Sequence, residues 1–203
     1  LLDDADPLHK VSIIPRGPMG GATFALPEKD RTLFTRRYCM ALMQVCFGGR
    51  IAEQLFFDDI TSGAQSDITQ ATRIARQMVL TWGMSNQLGP ISYGPDLGVK
   101  EATYMFNNER EYSEKTAEAI DSEIKALTDE AFGKARELIA ANKDKLERIA
   151  QALLKYETLD ADDVKLILDG GTLDKPTVAD LLAVEQAKND NKQDDKSEKD
   201  SKD

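Results

Sequence analysis

The chain has 203 residues, 41% of them hydrophobic and 31% charged, the balance of an ordinary globular protein. Its formal net charge of -10 disfavours nucleic acid as a partner. No apolar run approaches the roughly 18 residues needed to span a bilayer, and nothing resembles a signal peptide. The acidity is uneven: residues 107–169 carry 16 acids against 10 bases, while residues 1–106 are close to balance, which reads as an acidic, solvated helical face. The sequence opens Leu-Leu-Asp-Asp with no initiator Met, so it is expected to be an excised piece of a longer protein.

In chain order, Val11 to Ile14 and Thr23 to Leu26 are short β-branched or aromatic runs around a Pro/Gly-rich link, Pro15 to Gly21. That pattern predicts a small hairpin, ended by Pro27. From about Thr32 the spacing turns helical: Tyr38, Ala41, Leu42, Val45 and Cys46, then Ala52, Leu55 and Phe56 beyond Gly48-Gly49. Two glycines inside a helix cost roughly 1 kcal/mol each relative to Ala, so a closely packed backbone or a helix break is expected there. Cys39 and Cys46 lie seven residues apart on that helical face and lack the CxxC spacing of a redox or zinc pair. They read as buried free thiols acting as small hydrophobes.

Asp58 to Ser66 reads as a loop, and a strongly amphipathic helix follows from Ser66–Asp67 through Ile68, Ala71, Ile74, Ala75, Met78, Val79 and Trp82, closed by Gly83. Trp82 and Phe56 are assigned to the core. Leu88 to Gly98 is predicted loop. A long helix is expected over 108–141, with Asn142 as C-cap or hinge, then a helix carrying Leu146, Ile149, Ala150, Leu153 and Leu154. Thr158 or Asp160 is expected to cap a short helix containing Val164, Ile167 and Leu168, and Pro176 to open a last one. Residues 186–203 hold five Lys, six Asp or Glu and no aromatic or β-branched residue, a composition that predicts disorder.

The inventory for chemistry is thin. There is one histidine, His9, and no H-E-x-x-H, phosphate loop or G-x-S-x-G elbow. His9 beside Lys10 at the mouth of the first strand reads as a structural strand-end residue. Two stretches change this picture: Asp6-Pro7-Leu8-His9-Lys10-Val11-Ser12-Ile13-Ile14-Pro15-Arg16-Gly17, and Gly48-Gly49-Arg50-Ile51-Ala52-Glu53 followed by Thr61-Ser62-Gly63-Ala64-Gln65-Ser66-Asp67-Ile68-Thr69-Gln70-Ala71-Thr72. With Gly83-Met84-Ser85 and Leu88 to Gly94 further on, their order and spacing closely resemble the FtsH-type AAA+ ATP-dependent zinc metalloprotease family, over roughly residues 3–169.

The resemblance implies a mainly α fold, a helical, bundle-like protease domain with a small N-terminal β-hairpin. Residues 1–169 would be a partial zinc-protease domain (strands about 10–26, helices thereafter), 170–185 a C-terminal helical extension and 186–203 the charged tail. It implies a membrane-anchored, homo-hexameric zinc endopeptidase of the inner membrane, with its protease domain on the cytoplasmic side. ATP and Mg would bind an ATPase domain outside this chain, and the substrates would be unfolded or membrane proteins. In that family an upstream H-E-x-x-H helix supplies two zinc-binding histidines and the glutamate that activates water, so this chain holds no catalytic residue of its own and is expected to be inactive alone.

The third protein ligand is an aspartate in the G-A-x-x-D-[LI]-x-x-A-T motif, which here is Asp67. From position alone, an aspartate after Gly-Ala-Gln-Ser reads as a helix cap or first-turn residue; with the motif around it, zinc ligand becomes the better reading. Glu53 is similar to a family position near the site and could accept a hydrogen bond from a ligating histidine. Its plainer reading is an ordinary helix-surface glutamate, or one ion-paired with Arg50 or Arg73. The competing function is a non-catalytic oligomerisation or interaction module of a protease-dead homologue.

Overall fold

The computed structural model of the chain describes residues 1–15, 17, 20–27, 32–94, 112–180 and 183. In chain order the elements are β1 (Leu8–Ser12), β2 (Ala22–Ala25), α1 (Arg36–Phe57), a 3-10 turn (Ser62–Ala64), α2 (Gln65–Leu80), α3 (Glu114–Ala141), α4 (Lys143–Tyr156), β3 (Thr158–Asp160) and α5 (Ala161–Leu168). The mainly α expectation holds. The predicted start of the long helix at 108–111, residues 95–98 of the predicted loop and the charged tail 186–203 lie outside the described residues. The chain divides into two compact units, one of residues 1–5 and 30–141, the other of residues 6–29 and 142–203. Asn142, expected as a C-cap or hinge, stands at that division and at the N-cap position of α4.

In the first unit, α1 packs against both α2 and α3. Met43, Ile51, Ala71, Ala75, Met78, Val79 and Ala131 are fully buried between these helices, with Phe47 and Leu127 beside them. α1 begins where Thr35 accepts a hydrogen bond from the Tyr38 N–H at 3.2 Å, satisfying one of the helix's unpaired first donors. The helix then runs unbroken through Gly48 and Gly49, and a Cβ at either would meet nothing within 4 Å. Neither the break nor the tight backbone approach expected there is present among the described residues; burial of the opposite face holds the helix together. Phe56 and Trp82 are partly buried, Trp82 against this core and stacked on Phe34 at 5.6 Å.

After α2 the chain reverses at Gly83 (φ +57), where a Cβ would come within 2.9 Å of Pro90 Cα. Only glycine accepts both that backbone conformation and that approach. The loop is then held down: buried Ser85 donates to Glu123 of α3 at 2.5 Å and accepts the Leu88 N–H at 2.9 Å.

The second unit has a three-stranded antiparallel sheet in the order β2-β1-β3. The expected hairpin therefore gains a third strand from 146 residues away, fastened by Ser12 Oγ against Thr158 Oγ1 at 2.8 Å. Leu159 points from β3 into a core with Leu153, Val164 and Ile167. The two strands of the hairpin lie slightly earlier than the β-branched runs indicated, because pairing extends back through Leu8↔Ala25. Of the two cap candidates for α5, Asp160 is the one used, in a reciprocal box with Asp163, while Thr158 sits in β3.

Residues beyond α5 are fastened to this unit. Lys175 pairs with Asp163, stands 5.2 Å from the Tyr156 ring centre, and reaches the Thr158 carbonyl at 3.5 Å. Tyr156 in turn donates to the Leu173 carbonyl at 3.4 Å. Residues 178–180 are helical, with Asp180 N–H bonded to Thr177 Oγ1, close to the start expected at Pro176.

Two outcomes follow from this packing. Ile51→Ala should cost about 2–5 kcal/mol of unfolding free energy in urea titration, the usual range for emptying a fully buried aliphatic site. Burial pushes the Asp163 carboxyl up, but Lys175 and the Asp160 N–H outweigh it and hold it below the usual 3.8. That contribution to stability is present above the unfolded aspartate value and is lost as pH falls through the folded one. Lys175→Met should therefore flatten the acid limb of a melting-temperature profile and open residues 171–177 to limited proteolysis.

Candidate functional site

Asp67 is the third residue of α2, exposed, in the first turn. The cap position belongs to Ala64, which makes no side-chain capping bond. Among the described residues the Asp67 carboxylate has no hydrogen bond or ion pair, so it does not serve as the cap. Its location has an electrostatic reason: the first-turn N–H groups carry the positive end of the helix dipole and stabilise a carboxylate placed there. The result is an ionisable oxygen pair on a rigid helix start, open to solvent and to a cation.

What holds that helix start is a contact from α1. Glu53 accepts two hydrogen bonds from one residue, Thr61: the hydroxyl at 2.6 Å and the backbone N–H at 3.2 Å. Thr61 caps the 3-10 turn that runs directly into α2, its Oγ1 accepting the Gly63 N–H at 3.1 Å. The fit is close, since a Cβ at Gly63 would lie 3.2 Å from Thr61 Oγ1 and 3.7 Å from Glu53 Oε1. Arg50 stands 3.7 Å from Glu53, which supports the Arg50 pairing among the alternatives read from sequence; no ion pair joins Glu53 to Arg73 among the described residues. The Thr61 hydroxyl, then its N–H, and more weakly Arg50 keep the Glu53 carboxyl below its ordinary range.

The sequence had singled out Glu53 but not Thr61. The available signal was a threonine ahead of Ser-Gly at a loop-to-helix junction, the position where a short hydroxyl side chain captures a backbone donor.

Cys46 of α1 belongs to the same neighbourhood. It is half-buried and free, and its thiol is pushed up to about 11, first by burial and then by the Asp67 carboxylate. Cys39 is buried, and burial raises its thiol too. Both are free thiols packed with the apolar residues of α1, Cys39 fully and Cys46 in part, and a raised thiol pKa lowers the fraction present as thiolate. His9 is exposed in β1 at a bulge, the residue left between the Leu8↔Ala25 and Lys10↔Phe24 pairs, and it belongs to the other unit.

A catalytic zinc takes three protein ligands and a water. Among the described residues no three His, Cys, Asp or Glu side chains gather to hold a metal. Asp67 has the chemistry of one such ligand: a hard oxygen donor, unpaired and rigidly mounted. The donor set is thus fit for one corner of a zinc site, and two further ligands would have to come from beyond the described residues.

Residues 1–167 match the family described as Peptidase family M41. Similar curated proteins include the ATP-dependent zinc metalloprotease FtsH of Bacillus subtilis (strain 168), 42% identical over 181 residues, covering 89% of this chain and 28% of that protein. The ATP-dependent zinc metalloprotease FtsH 2 of Methylacidiphilum infernorum is 46% identical over 176 residues, covering 87% and 28% respectively. The ATP-dependent zinc metalloprotease FtsH of Myxococcus xanthus is 42% identical over 173 residues, covering 85% and 27%. The chain spans a little over a quarter of the length of these relatives.

The proximity of Asp67 to Cys46 can be read chemically in the metal-free chain. Alkylation of Cys46 should rise about tenfold per pH unit toward about 11, and Asp67→Asn should move that curve to lower pH by removing the negative charge. An unchanged curve in the variant would separate the two groups.

Proposed function

Because the chain belongs to peptidase family M41, we propose that it is part of the proteolytic domain of a membrane-anchored, ATP-dependent zinc endopeptidase, with Asp67 one of the zinc's three protein ligands. The observation that carries this reading is the Asp67 carboxylate: held at a helix start, unpaired, and inside the matched region. In the longer protein the metal would supply Lewis acidity and lower the pKa of a bound water toward neutrality.

The residues of this chain would do the positioning. Asp67 would offer a carboxylate oxygen to the metal and offset part of its charge. Glu53 keeps acceptor capacity beyond its two bonds to Thr61, since a carboxylate offers about four lone-pair sites; the remainder can take the N–H of a ligating histidine and fix its ring. The edge strand β2 has no partner on its outer side among the described residues, and an extended substrate peptide could pair there by main-chain hydrogen bonds.

The rest of the reading concerns the longer protein. It would assemble as a homo-hexamer, with ATP and Mg bound in a separate ATPase domain that feeds unfolded or membrane proteins to the protease. It would sit at the inner membrane with this part on the cytoplasmic side. Among the described residues no helix is long and apolar enough to cross a membrane, so the anchor would lie elsewhere in the protein. The 203-residue chain alone would not cut peptides.

The test is elemental analysis of the longer protein that carries this chain. About one zinc per subunit is expected, with loss of most of the metal and of peptidase activity in Asp67→Ala. Metal and activity both retained by the variant would remove Asp67 from the site, and a wild type without zinc would make the protein a protease-dead homologue.

A further inference from the structure

The junction between α1 and α2 carries an assignment beyond the ligand itself. We infer that Thr61 is a positioning residue for the metal site: through Glu53 and Gly63 it sets where the first turn of α2, and with it Asp67, stands against α1. The inference rests on the reading of Asp67 as a zinc ligand.

Three observations carry it. First, the segment between Phe57 and Ser62 has little else to fix it: Phe57, Asp58, Asp59, Ile60 and Thr61 are all exposed. It contains one left-handed residue, Asp58 (φ 50), and a local Asp59–Ile60 bond. Second, Thr61 uses its donors and its acceptor together. Its hydroxyl and N–H both go to Glu53, and its oxygen receives the Gly63 N–H. A single side chain therefore ties a fixed point on α1 to the turn entering α2. Third, there is no slack between the tie and the ligand: the 3-10 turn Ser62–Ala64 passes into α2 at Gln65 without an intervening loop residue, and Asp67 follows in the first turn.

The physical consequence is pre-organisation. A carboxylate ligand on a frayed helix end must be ordered when the metal binds, and that entropy is subtracted from affinity. With Thr61 bonded on both sides the end is ordered beforehand. Valine at 61 keeps the β-branched shape and the backbone N–H bond to Glu53 but removes the hydroxyl, so it loses the shorter bond to Glu53 and the bond from Gly63 at once. Serine keeps both.

The experiment uses the longer protein and zinc itself, with the dissociation constant measured by competition against a chromophoric chelator. Thr61→Val is expected to weaken zinc about 10- to 100-fold, the range seen when groups that orient ligands are removed. Thr61→Ser should stay within about threefold of the wild type by the same measure, and cobalt substituted for zinc should show shifted absorption bands in the valine variant only. Asp67→Ala is measured in parallel. Wild-type affinity in Thr61→Val together with loss of zinc in Asp67→Ala overturns the positioning role and leaves the ligand standing. Zinc retained by Asp67→Ala removes the ligand, and the inference with it. If the valine protein does not fold, Thr61→Ala carries the same comparison, and equal weakening by the alanine and serine variants also overturns the role.

Discussion

The burial of one face of α1 is the constraint on which the first unit depends. Gly48 and Gly49 sit in the middle of that helix and weaken it by roughly 1 kcal/mol each. Among the described residues nothing would lie within 4 Å of a Cβ at either glycine to compensate. The balance is decided on the other side, where Met43, Phe47 and Ile51 are buried against α2 and α3. Each such side chain gains about 1.5–3 kcal/mol on leaving water, so the packed face outweighs the glycine penalty. The helix continues unbroken through a point where local propensity would weaken it.

A continuous α1 has a further effect, because its remaining face carries Cys46, Arg50 and Glu53 at fixed height. Those residues meet the chain as it returns into α2. Glu53 takes both donors of Thr61, and Cys46 feels the charge of Asp67. The exposed carboxylate of Asp67 is therefore a supported group rather than a loose surface acid. A helix start presents one hard donor, and a zinc site needs others converging from different elements.

The second unit is held by a different logic. Its sheet is small and one of its strands is only three residues long, so side-chain fastenings matter more than strand length. Ser12 to Thr158 joins the strands, the Asp160–Asp163 box starts α5, and Lys175 lays the following segment over Tyr156. The family match ends at residue 167, whereas these fastenings continue to Lys175, so the segment past α5 belongs structurally to the unit it covers.

The helical stretches and the hairpin were legible in the sequence, and the cap of α5 was narrowed to Thr158 or Asp160. The ordered motif around Asp67 was legible too, and it is what singles this first-turn acid out as the candidate ligand. These features are local: periodicity, caps and motif spacing are written within a few residues of one another. β3 was not legible, since three residues leave no period and their partner lies 146 residues away. The continuity of α1 through Gly48-Gly49 was not legible either, nor was the reach of Glu53 to Thr61. Both depend on which helix face is buried and which loop comes back beside it. The sequence by itself determined the helical class, the family and the candidate ligand; tertiary packing decided that the helix carrying Asp67 would be held in place, because that required the loop after α1 to bring Thr61 back within hydrogen-bonding distance of Glu53.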